Sequence, residues 1–322
     1  MEPPNLFSQL DQNRTAIRRA EVDVLFSSIR RYRSSSQYQL LLDFCLKFRH
    51  IAPFNCLLLH IQRPGSTYVA SAADWKNRFG RTVKDDARPL LILVPFGPVA
   101  FVFDLEDTEG PEMPQAILTP FLASGTPPPD VWGWTLVNCA RDLIRPAGIP
   151  MAQGAAGSIG RPKERDTVTL VERKEGQKEP VIRVVPARYR LVYNSNLNAP
   201  ARYATVVHEL AHLYLGHLGT PDPQWWPDRE YMRSDHAVGE FEAESVAWLV
   251  CNRLGIDPGS ERYLATFLEG RGQMPSISIE SVLRSVNLIE QMGRGRMMPR
   301  KPPRPPKTRR PAAPRVRAAL DP

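Results

Sequence analysis

Residues 202–219, RYATVVHELAHLYLGHLG, contain the motif from which the fold and the chemistry of this 322-residue chain can be predicted. They are rich in helix-forming and apolar side chains, and residues 208–212 read HELAH, an HExxH motif. Residues four apart are separated by about 40° around a helix, so His208 and His212 project side by side and can share one cation. Glu209 lies close enough to reach a metal-bound water without ligating the metal. The segment therefore predicts a zinc site with two histidine ligands and a glutamate base.

The alternative is that both imidazoles are core histidines whose polar neighbours satisfy them. Apolar side chains surround the motif on nearly every side of the helix, from Val206 to Leu215. Polar partners for two imidazoles and a carboxylate would then have to be found inside a core, where unpaired polar groups are costly. Metal ligation solves this desolvation problem directly, so we favour it.

A zinc site of this kind needs a third protein ligand. His217 lies nine residues after His208, about 180° around a continuing helix, and is expected to point away. The metzincin pattern HExxHxxGxxH requires Gly and His at two positions where this chain has Leu215 and Leu218, which excludes that class.

The next predicted helix, residues 237–254, offers three acids. On a helical projection Glu242 falls on the polar arc, whereas Glu240 and Glu244 fall on the apolar arc. A carboxylate there is costly unless it is paired or coordinated, so one of these two is the expected ligand. Glu240 lies in the first turn, where the helix dipole alone can stabilise it. We therefore favour Glu244 as the third ligand, with Glu240 as the alternative.

Both helices resemble a known family. The chain is similar to the zincin domain of the ImmA/IrrE metallopeptidases, and more closely to that of ArdC-like antirestriction proteins. The segments that carry the resemblance are RYATVVHELAHLYLGHLG (202–219), GEFEAESVAWLVCNRLGI (239–256), ERYLATFL (261–268) and ISIESVLRSVNLIEQM (277–292).

The resemblance implies a zinc site and a substrate class. In those families the HExxH histidines and the Glu of an E-A-E-type segment bind zinc, which corresponds here to His208, His212 and Glu244. Glu209 would be the catalytic base. The ImmA/IrrE likeness further implies a protein substrate such as a transcriptional repressor.

The front of the chain is similar to the N-terminal single-stranded-DNA-binding domain of ArdC-like proteins. The segments concerned are NCLLLHIQRPGS (55–66), ADWKNRFGRTVKDDARPLLILVPF (73–96) and VAFVFDLEDTEG (99–110). The residues expected to meet phosphates are Lys76, Arg78, Arg81 and Lys84, and those expected to stack on bases are Tyr68, Trp75 and Phe79. Asp85 and Asp86 depart from the basic pattern and would repel a phosphate backbone. The alternative is an ordinary solvated face with Trp75 in the core.

Charge is unevenly distributed along the chain, whose formal net charge is +8. Residues 293–322 carry +9, residues 1–103 carry +6, and residues 104–292 carry −7. The last thirty residues are mostly Pro, Arg, Lys and Ala, which cannot offset their ordering entropy, so we predict a disordered basic tail. Such a tail favours nonspecific attraction to nucleic acid or another polyanion.

Cysteine usage and hydropathy indicate a cytoplasmic protein without a membrane span. Cys45, Cys56, Cys139 and Cys251 each lie in an apolar stretch, with no CxxC pair, so we expect reduced core thiols. No secretory signal is visible. The longest apolar run, residues 89–103, is interrupted by Pro and Gly and indicates two strands joined by a turn.

The predicted fold class is α+β. We expect an N-terminal helical layer plus small sheet in residues 1–107, a Pro-rich linker at 108–130, a zincin-like domain at 131–292, and the tail at 293–322. Within the zincin-like part the predictions are a helix at 131–145, a flexible loop at GAAGSIG (154–160), a hairpin of strands 167–173 and 181–185, a strand at 189–194, and Asn198 capping the HExxH helix.

The leading functional prediction is a zinc-dependent endopeptidase. A metal-activated water would attack a peptide carbonyl, with Glu209 as general base, and the strand at 189–194 could bind substrate by strand addition. Tyr214, Tyr231 and His236 are unranked candidates to stabilise the oxyanion. The rival prediction is a single-stranded-DNA-binding antirestriction protein of a mobile element, which would use residues 1–107 and the basic tail, with a structural or vestigial zinc site.

Overall fold

A computed structural model describes residues 35–48, 50–94, 97–114, 125–172, 179–231, 235–256 and 275–300. Over these ranges the chain forms seven α-helices and ten short strands. The helices are α1 Ser35–Lys47, α2 Pro53–Gln62, α3 Ala72–Phe79, α4 Pro129–Cys139, α5 Ala199–Tyr214, α6 His236–Leu254 and α7 Ile279–Arg294. The strands are β1 Val69–Ala70, β2 Thr82–Val83, β3 Leu90–Val94, β4 Gly97–Asp104, β5 Thr108–Glu109, β6 Ile144–Ile149, β7 Gly157–Gly160, β8 Thr167–Glu172, β9 Val181–Pro186 and β10 Tyr189–Asn194.

The front sheet has the order β1-β4-β3, and its strands are antiparallel. The predicted pairing of strands 90–94 and 99–105 is confirmed in β3 and β4. A separate pair, β2 and β5, joins Thr82 to Glu109 and Val83 to Thr108. Thr108 is buried, so the front part extends past residue 107, and the predicted linker begins too early.

The second sheet has the order β6-β10-β7, with β10 parallel to β6 and antiparallel to β7. The helix predicted over 131–145 is wrong at its end, because α4 stops at Cys139 and the chain then enters β6. Pro146 lies inside β6, which is possible because β6 is at the edge of this sheet and needs no hydrogen bond on its outer side. The predicted hairpin is confirmed in β8 and β9.

The helix that carries HExxH is α5, and its start follows local capping chemistry. Asn198 accepts a hydrogen bond from the backbone N–H of Ala201 at 3.0 Å, as predicted for an N-cap. Pro200 lies in the first turn, where its missing N–H costs nothing. The helix packs against α6, β7 and β10, which places the motif between a helix and a sheet edge.

One hydrophobic core crosses the predicted domain boundary. Leu41 of α1 and Leu57 of α2 belong to the same buried cluster as Leu210 of α5, Val246 of α6 and Val286 of α7. Because α1 and α2 bury their apolar faces against the later helices, residues on both sides of the predicted boundary share one core.

A buried arginine joins the two parts. Arg253, near the end of α6, donates to the carbonyl oxygens of Cys45 and Ile51 and pairs with Glu290 of α7. The Cys45 carbonyl is in the last turn of α1, where no helical N–H is available to it, and Ile51 lies in the segment that follows. The arginine therefore ties α1, α6 and α7 together.

The segment after α7 packs on the body. Arg300 pairs with the buried Asp142, and its guanidinium lies over the rings of Trp225 and Trp226 at 5.2 and 5.3 Å. The predicted tail start at residue 293 is therefore too early, since residues 293–300 are helical or bound to the body. The predicted disorder of residues 301–322 concerns positions outside the described residues.

All four cysteines are buried thiols that form no disulfide, as the sequence predicted. None of the helices in the described ranges combines the length and the apolar character that crossing a membrane requires.

Candidate metal centre

The two motif histidines face each other on α5. Their Nε2 atoms are 3.1 Å apart, and both rings are largely buried between α5 and α6. The side-by-side arrangement predicted from the four-residue spacing is what the structure shows. Two imidazole nitrogens at this separation have either to share a proton or to bind a common cation.

Glu240 of α6 lies against both rings and completes a group of three candidate ligands, His208, His212 and Glu240, which we call the ligand triangle. Its Oε2 lies 3.3 Å from Nε2 of His208 and its Oε1 lies 3.3 Å from Nε2 of His212. These three residues form a group whose ligand atoms all lie within 4.8 Å of one another. Nitrogen and oxygen ligands at the usual zinc distances around a tetrahedral centre are about 3.3 Å apart. The donor set and its spacing fit zinc.

Glu244, which the sequence favoured as the ligand, lies on the other side of the His208 ring. Its Oε2 is 2.9 Å from Nδ1 of His208, whereas the Nε2 atom faces Glu240. A carboxylate bound to Nδ1 cannot reach a cation held at Nε2 of the same ring. The arrangement favours the alternative ligand, Glu240, and gives Glu244 the place of a partner that orients a metal-binding histidine.

The protonation of the two imidazoles differs. Burial alone would lower the pKa of His208, but hydrogen bonds to Glu240 and Glu244 outweigh it and raise the pKa to about 10. Burial lowers the pKa of His212, and its contacts with Glu240 do not compensate. The shifts oppose each other because two adjacent rings share one carboxylate, and the second proton that makes an imidazolium is favoured on His208 and disfavoured on His212. A divalent cation would take the place of that proton.

Glu209 faces the same site. Burial raises the pKa of its carboxyl, although the neighbouring His208 and a hydrogen bond from the backbone of Ile159 act in the opposite direction. A carboxyl with a raised pKa beside a metal site is a suitable general base.

These side chains line one cavity of about 640 Å³. Its lining comprises Gly157, Ser158, Ile159, His208, Glu209, His212, His217, Leu218, His236, Gly239 and Glu240. The strand in this wall is β7, which pairs with β10 along one edge only. The prediction that residues 189–194 bind substrate by strand addition is wrong, because β10 is hydrogen-bonded on both sides.

The strand β7 comes from the segment predicted as a flexible loop. A side chain at Gly157 would place its Cβ 2.6 Å from both Thr205 Cγ2 and the carbonyl oxygen of Val192. Glycine is therefore required for β7 to lie this close to α5 and β10. The loop before it is held by Asn194, which donates to the carbonyl of Ala155 at 2.8 Å.

The three residues predicted as candidates to stabilise an oxyanion differ in their burial and in their distance from the cavity. Tyr214 is buried, and its hydroxyl donates to Asp142 at 2.6 Å, so it cannot serve the cavity. Tyr231 is 70% exposed and is not part of the cavity lining. His236 lines the cavity, with Nδ1 3.3 Å from Oε1 of Glu240. Of the three, His236 alone lies beside the candidate metal ligands.

His217 does not point away from the site. The prediction assumed a continuing helix, but α5 ends at Tyr214, and Gly216 adopts a left-handed φ of 86° that reverses the chain. The His217 ring returns to lie with Nδ1 3.0 Å from Nδ1 of His212. It contacts the back of a metal-site histidine and does not join the ligand triangle.

The helical projection predicts the wrong environment for Glu242. It places this residue on the polar arc of the helix, whereas the structure buries it fully, in contact with His217 and Arg229. Sequence reasoning missed all three residues as a unit. Their contact depends on the loop that joins α5 to α6, and nothing in their spacing along the chain indicates it.

The aromatic residues predicted to stack on bases are core residues. Trp75 has no exposed surface, and its Nε1 donates to the carbonyl of Phe103 at 2.9 Å. Tyr68 and Phe79 pack edge-on against each other beside it. The stacking prediction is wrong, and the alternative with Trp75 in the core is confirmed.

The four basic residues predicted to contact phosphates differ in whether they already bind groups of the protein itself. Arg81 binds the carbonyl oxygens of Thr108 and Gly110, so it stabilises a turn. Lys84 donates to the carbonyl of Glu106 at 2.9 Å. Lys76 and Arg78 are exposed on α3, with Arg78 4.0 Å from Asp74.

Comparison with known proteins gives one structural likeness. The chain matches no protein-family model and no curated protein. It is similar to the metal-free crystal structure of the antirestriction ArdC protein from plasmid R388, with 13% identical residues and a TM-score of 0.31. The likeness covers 74% of this chain and 81% of that chain. The function is therefore argued from the site itself.

Proposed function

We propose that this chain is a zinc-dependent hydrolase of the peptidase type, with His208, His212 and Glu240 as metal ligands and Glu209 as general base. The observation that carries the proposal is that the Nε2 atoms of His208 and His212, 3.1 Å apart, each lie 3.3 Å from one oxygen of Glu240, beside a cavity that a further acid lines. Three protein ligands with an open fourth position are typical of catalytic zinc sites, whereas structural sites are closed by four.

Each residue at the site has a separate task in this proposal. Zinc, when bound, would polarise a carbonyl oxygen and lower the pKa of a water molecule. The Glu209 carboxylate accepts the proton of the attacking water and returns it to the leaving nitrogen. His236, at the mouth of the cavity, is placed to donate a hydrogen bond to the developing oxyanion.

The wall formed by β7 supports an extended peptide as substrate. Gly157, Ser158 and Ile159 line the cavity, and β7 is at the edge of its sheet among the described residues. An extended peptide can add to such an edge through main-chain hydrogen bonds.

Replacement of Glu209 by Gln tests hydrolysis. The amide keeps the size of the side chain but cannot accept a proton, so we expect zinc content to be unchanged and cleavage to fall about 10²- to 10⁴-fold. Proteomics of cells carrying the parent or the Glu209→Gln variant would identify new protein termini that depend on the acid. If the variant retains the full biological effect and the same cleavage products, the hydrolase proposal is wrong.

The second candidate is a DNA-binding antirestriction protein whose metal site is structural. Antirestriction is the function named for the similar solved structure, and the exposed Lys76 and Arg78 on α3 are suited to phosphate contacts. Under this alternative the Glu209→Gln variant keeps its effect, whereas Lys76→Glu with Arg78→Glu weakens single-stranded DNA binding. Removal of residues 301–322 would show how much affinity belongs to the basic tail.

A further inference from the structure

We infer that His217 is a positioning residue, which holds the metal ligand His212 in the tautomer and orientation that binds a cation. His217 does this by donating a hydrogen bond to the buried Glu242 and accepting one from His212. The inference rests on the proposed metal site and adds to it a residue that touches neither metal nor substrate. It is carried by a row of hydrogen bonds that begins at Arg229 and ends at the ligand triangle.

The row is continuous. Nδ1 of His212 lies 3.0 Å from Nδ1 of His217, and Nε2 of His217 lies 3.0 Å from Oε2 of Glu242. His217 is only 5% exposed and Glu242 is fully buried, so water does not compete for these atoms. Each ring uses both of its nitrogens within the row.

The position of Glu242 is fixed from three directions. Arg229 donates to both carboxylate oxygens, at 2.8 and 2.9 Å, in a bidentate pair. The backbone N–H of Ser278 donates to Oε1 at 2.7 Å. The bidentate guanidinium and the backbone N–H together direct three hydrogens at the two carboxylate oxygens, so both oxygens accept. The group at the end of the row is therefore an ionised acceptor with no proton to give.

The acceptor at one end sets the order of donors and acceptors that we assign to the row. Glu242 accepts, so Nε2 of His217 carries a hydrogen; in the tautomer with no hydrogen on Nδ1, that second nitrogen of His217 is an acceptor. It follows that Nδ1 of His212 carries the hydrogen and Nε2 of His212 presents its lone pair. That lone pair faces Nε2 of His208 and the Glu240 carboxylate, where the cation would bind.

The two metal-site histidines are thus oriented in different ways. His208 contacts a carboxylate directly, since Glu244 lies 2.9 Å from its Nδ1. His212 is separated from its carboxylate by one imidazole ring. Partners of this kind fix ring orientation, and their loss typically lowers metal affinity about 10- to 100-fold.

The test compares two substitutions of His217 in the full-length protein, with Zn²⁺ as the probe. Gln can reproduce the row, because its amide oxygen accepts from His212 while its NH₂ group donates to Glu242. Phe fills similar space and can do neither. We expect His217→Phe to weaken zinc affinity about 10- to 100-fold and His217→Gln to keep most of it.

Three measurements separate this role from a purely structural one. Chelator competition gives the zinc affinity, the absorption spectrum of the Co²⁺-substituted protein reports ligand geometry, and thermal unfolding without metal reports the fold. The control is His50→Phe, which removes an exposed imidazole that stacks on Tyr68 away from the site and should leave zinc affinity unchanged. A Co²⁺ spectrum that changes in the Phe variant but not in the Gln variant supports the relay.

The inference is overturned if the Phe variant binds zinc as tightly as the parent, or if the Gln and Phe variants lose affinity equally. If the parent protein binds no zinc, the inference and the proposed function both fall. If Phe and Gln differ as expected while Glu209→Gln keeps the full biological effect, only the hydrolase proposal falls.

Discussion

At the residue scale, two acids one helical turn apart on α6 have different positions relative to the same imidazole. Glu240 faces Nε2 of His208 and of His212, whereas Glu244 faces Nδ1 of His208. A ligand holds the cation itself, while a carboxylate at Nδ1 orients the ring that holds it. The two acids should therefore differ in what their removal costs.

Replacement of each acid by Ala measures that difference. Glu240→Ala removes a ligand and should lower zinc affinity more than about a hundredfold, whereas Glu244→Ala should lower it about 10- to 100-fold. Metal content and chelator competition on the two purified variants provide the comparison. If Glu244→Ala abolishes binding while Glu240→Ala is tolerated, the ligand assignment is reversed.

At the element scale, β7 shows why a motif-based prediction can miss a functional element. The strand has only four residues, two of them glycines, and lacks the alternation of apolar and polar residues that identifies strands. By contrast, β3, β4, β8 and β10 have β-branched and aromatic residues in runs that are predictable from sequence. The helix α5 was predictable for the same reason, because its cap and apolar spacing are local.

The two glycines of β7 provide a matched pair of substitutions. An added Cβ at Gly157 would lie 2.6 Å from Thr205 and from the backbone of Val192, whereas at Gly160 nothing lies within 4 Å. We expect Gly157→Ala to destabilise the protein by about 1–3 kcal/mol, as overpacking does, and Gly160→Ala to have little effect. Denaturant unfolding of both variants measures the difference, and equal effects would contradict the close packing of β7 on α5.

At the scale of the whole molecule, the front helices and the metal-site helices share one core. Arg253 is the polar connection within it, with a side chain only 2% exposed and hydrogen bonds to α1 carbonyls and to Glu290. The front part is consequently expected to unfold together with the rest of the described structure.

Two arginines that pair with Glu290 allow a controlled test. Arg253→Met leaves Glu290 buried without its main partner and should lower the free energy of unfolding by about 3–5 kcal/mol. Arg294 also lies 3.6 Å from Glu290 but is 66% exposed, so Arg294→Ala should cost at most about 1 kcal/mol. Chemical unfolding, followed by fluorescence and by circular dichroism, measures both. A mild effect of Arg253→Met, or two separate transitions in the parent, would argue against a shared core.

Features that depend on neighbours along the chain were predictable from the sequence. The Asn198 cap, the paired strands and the facing of His208 and His212 follow from spacings of a few residues, because backbone geometry fixes them locally.

The choice of the third ligand, the position of His217 and the burial of Trp75 depend on contacts between elements and were not predictable from the sequence. Glu240 and Glu244 share one face of α6, so no projection separates them, and the height of α6 against α5 determines which carboxylate reaches Nε2. Likewise the left-handed turn at Gly216 brings His217 to His212, and a small cluster with Tyr68 and Met113 buries Trp75. These contacts join residues that are distant in sequence or lie beyond the end of a helix, and the packing of the whole chain sets them.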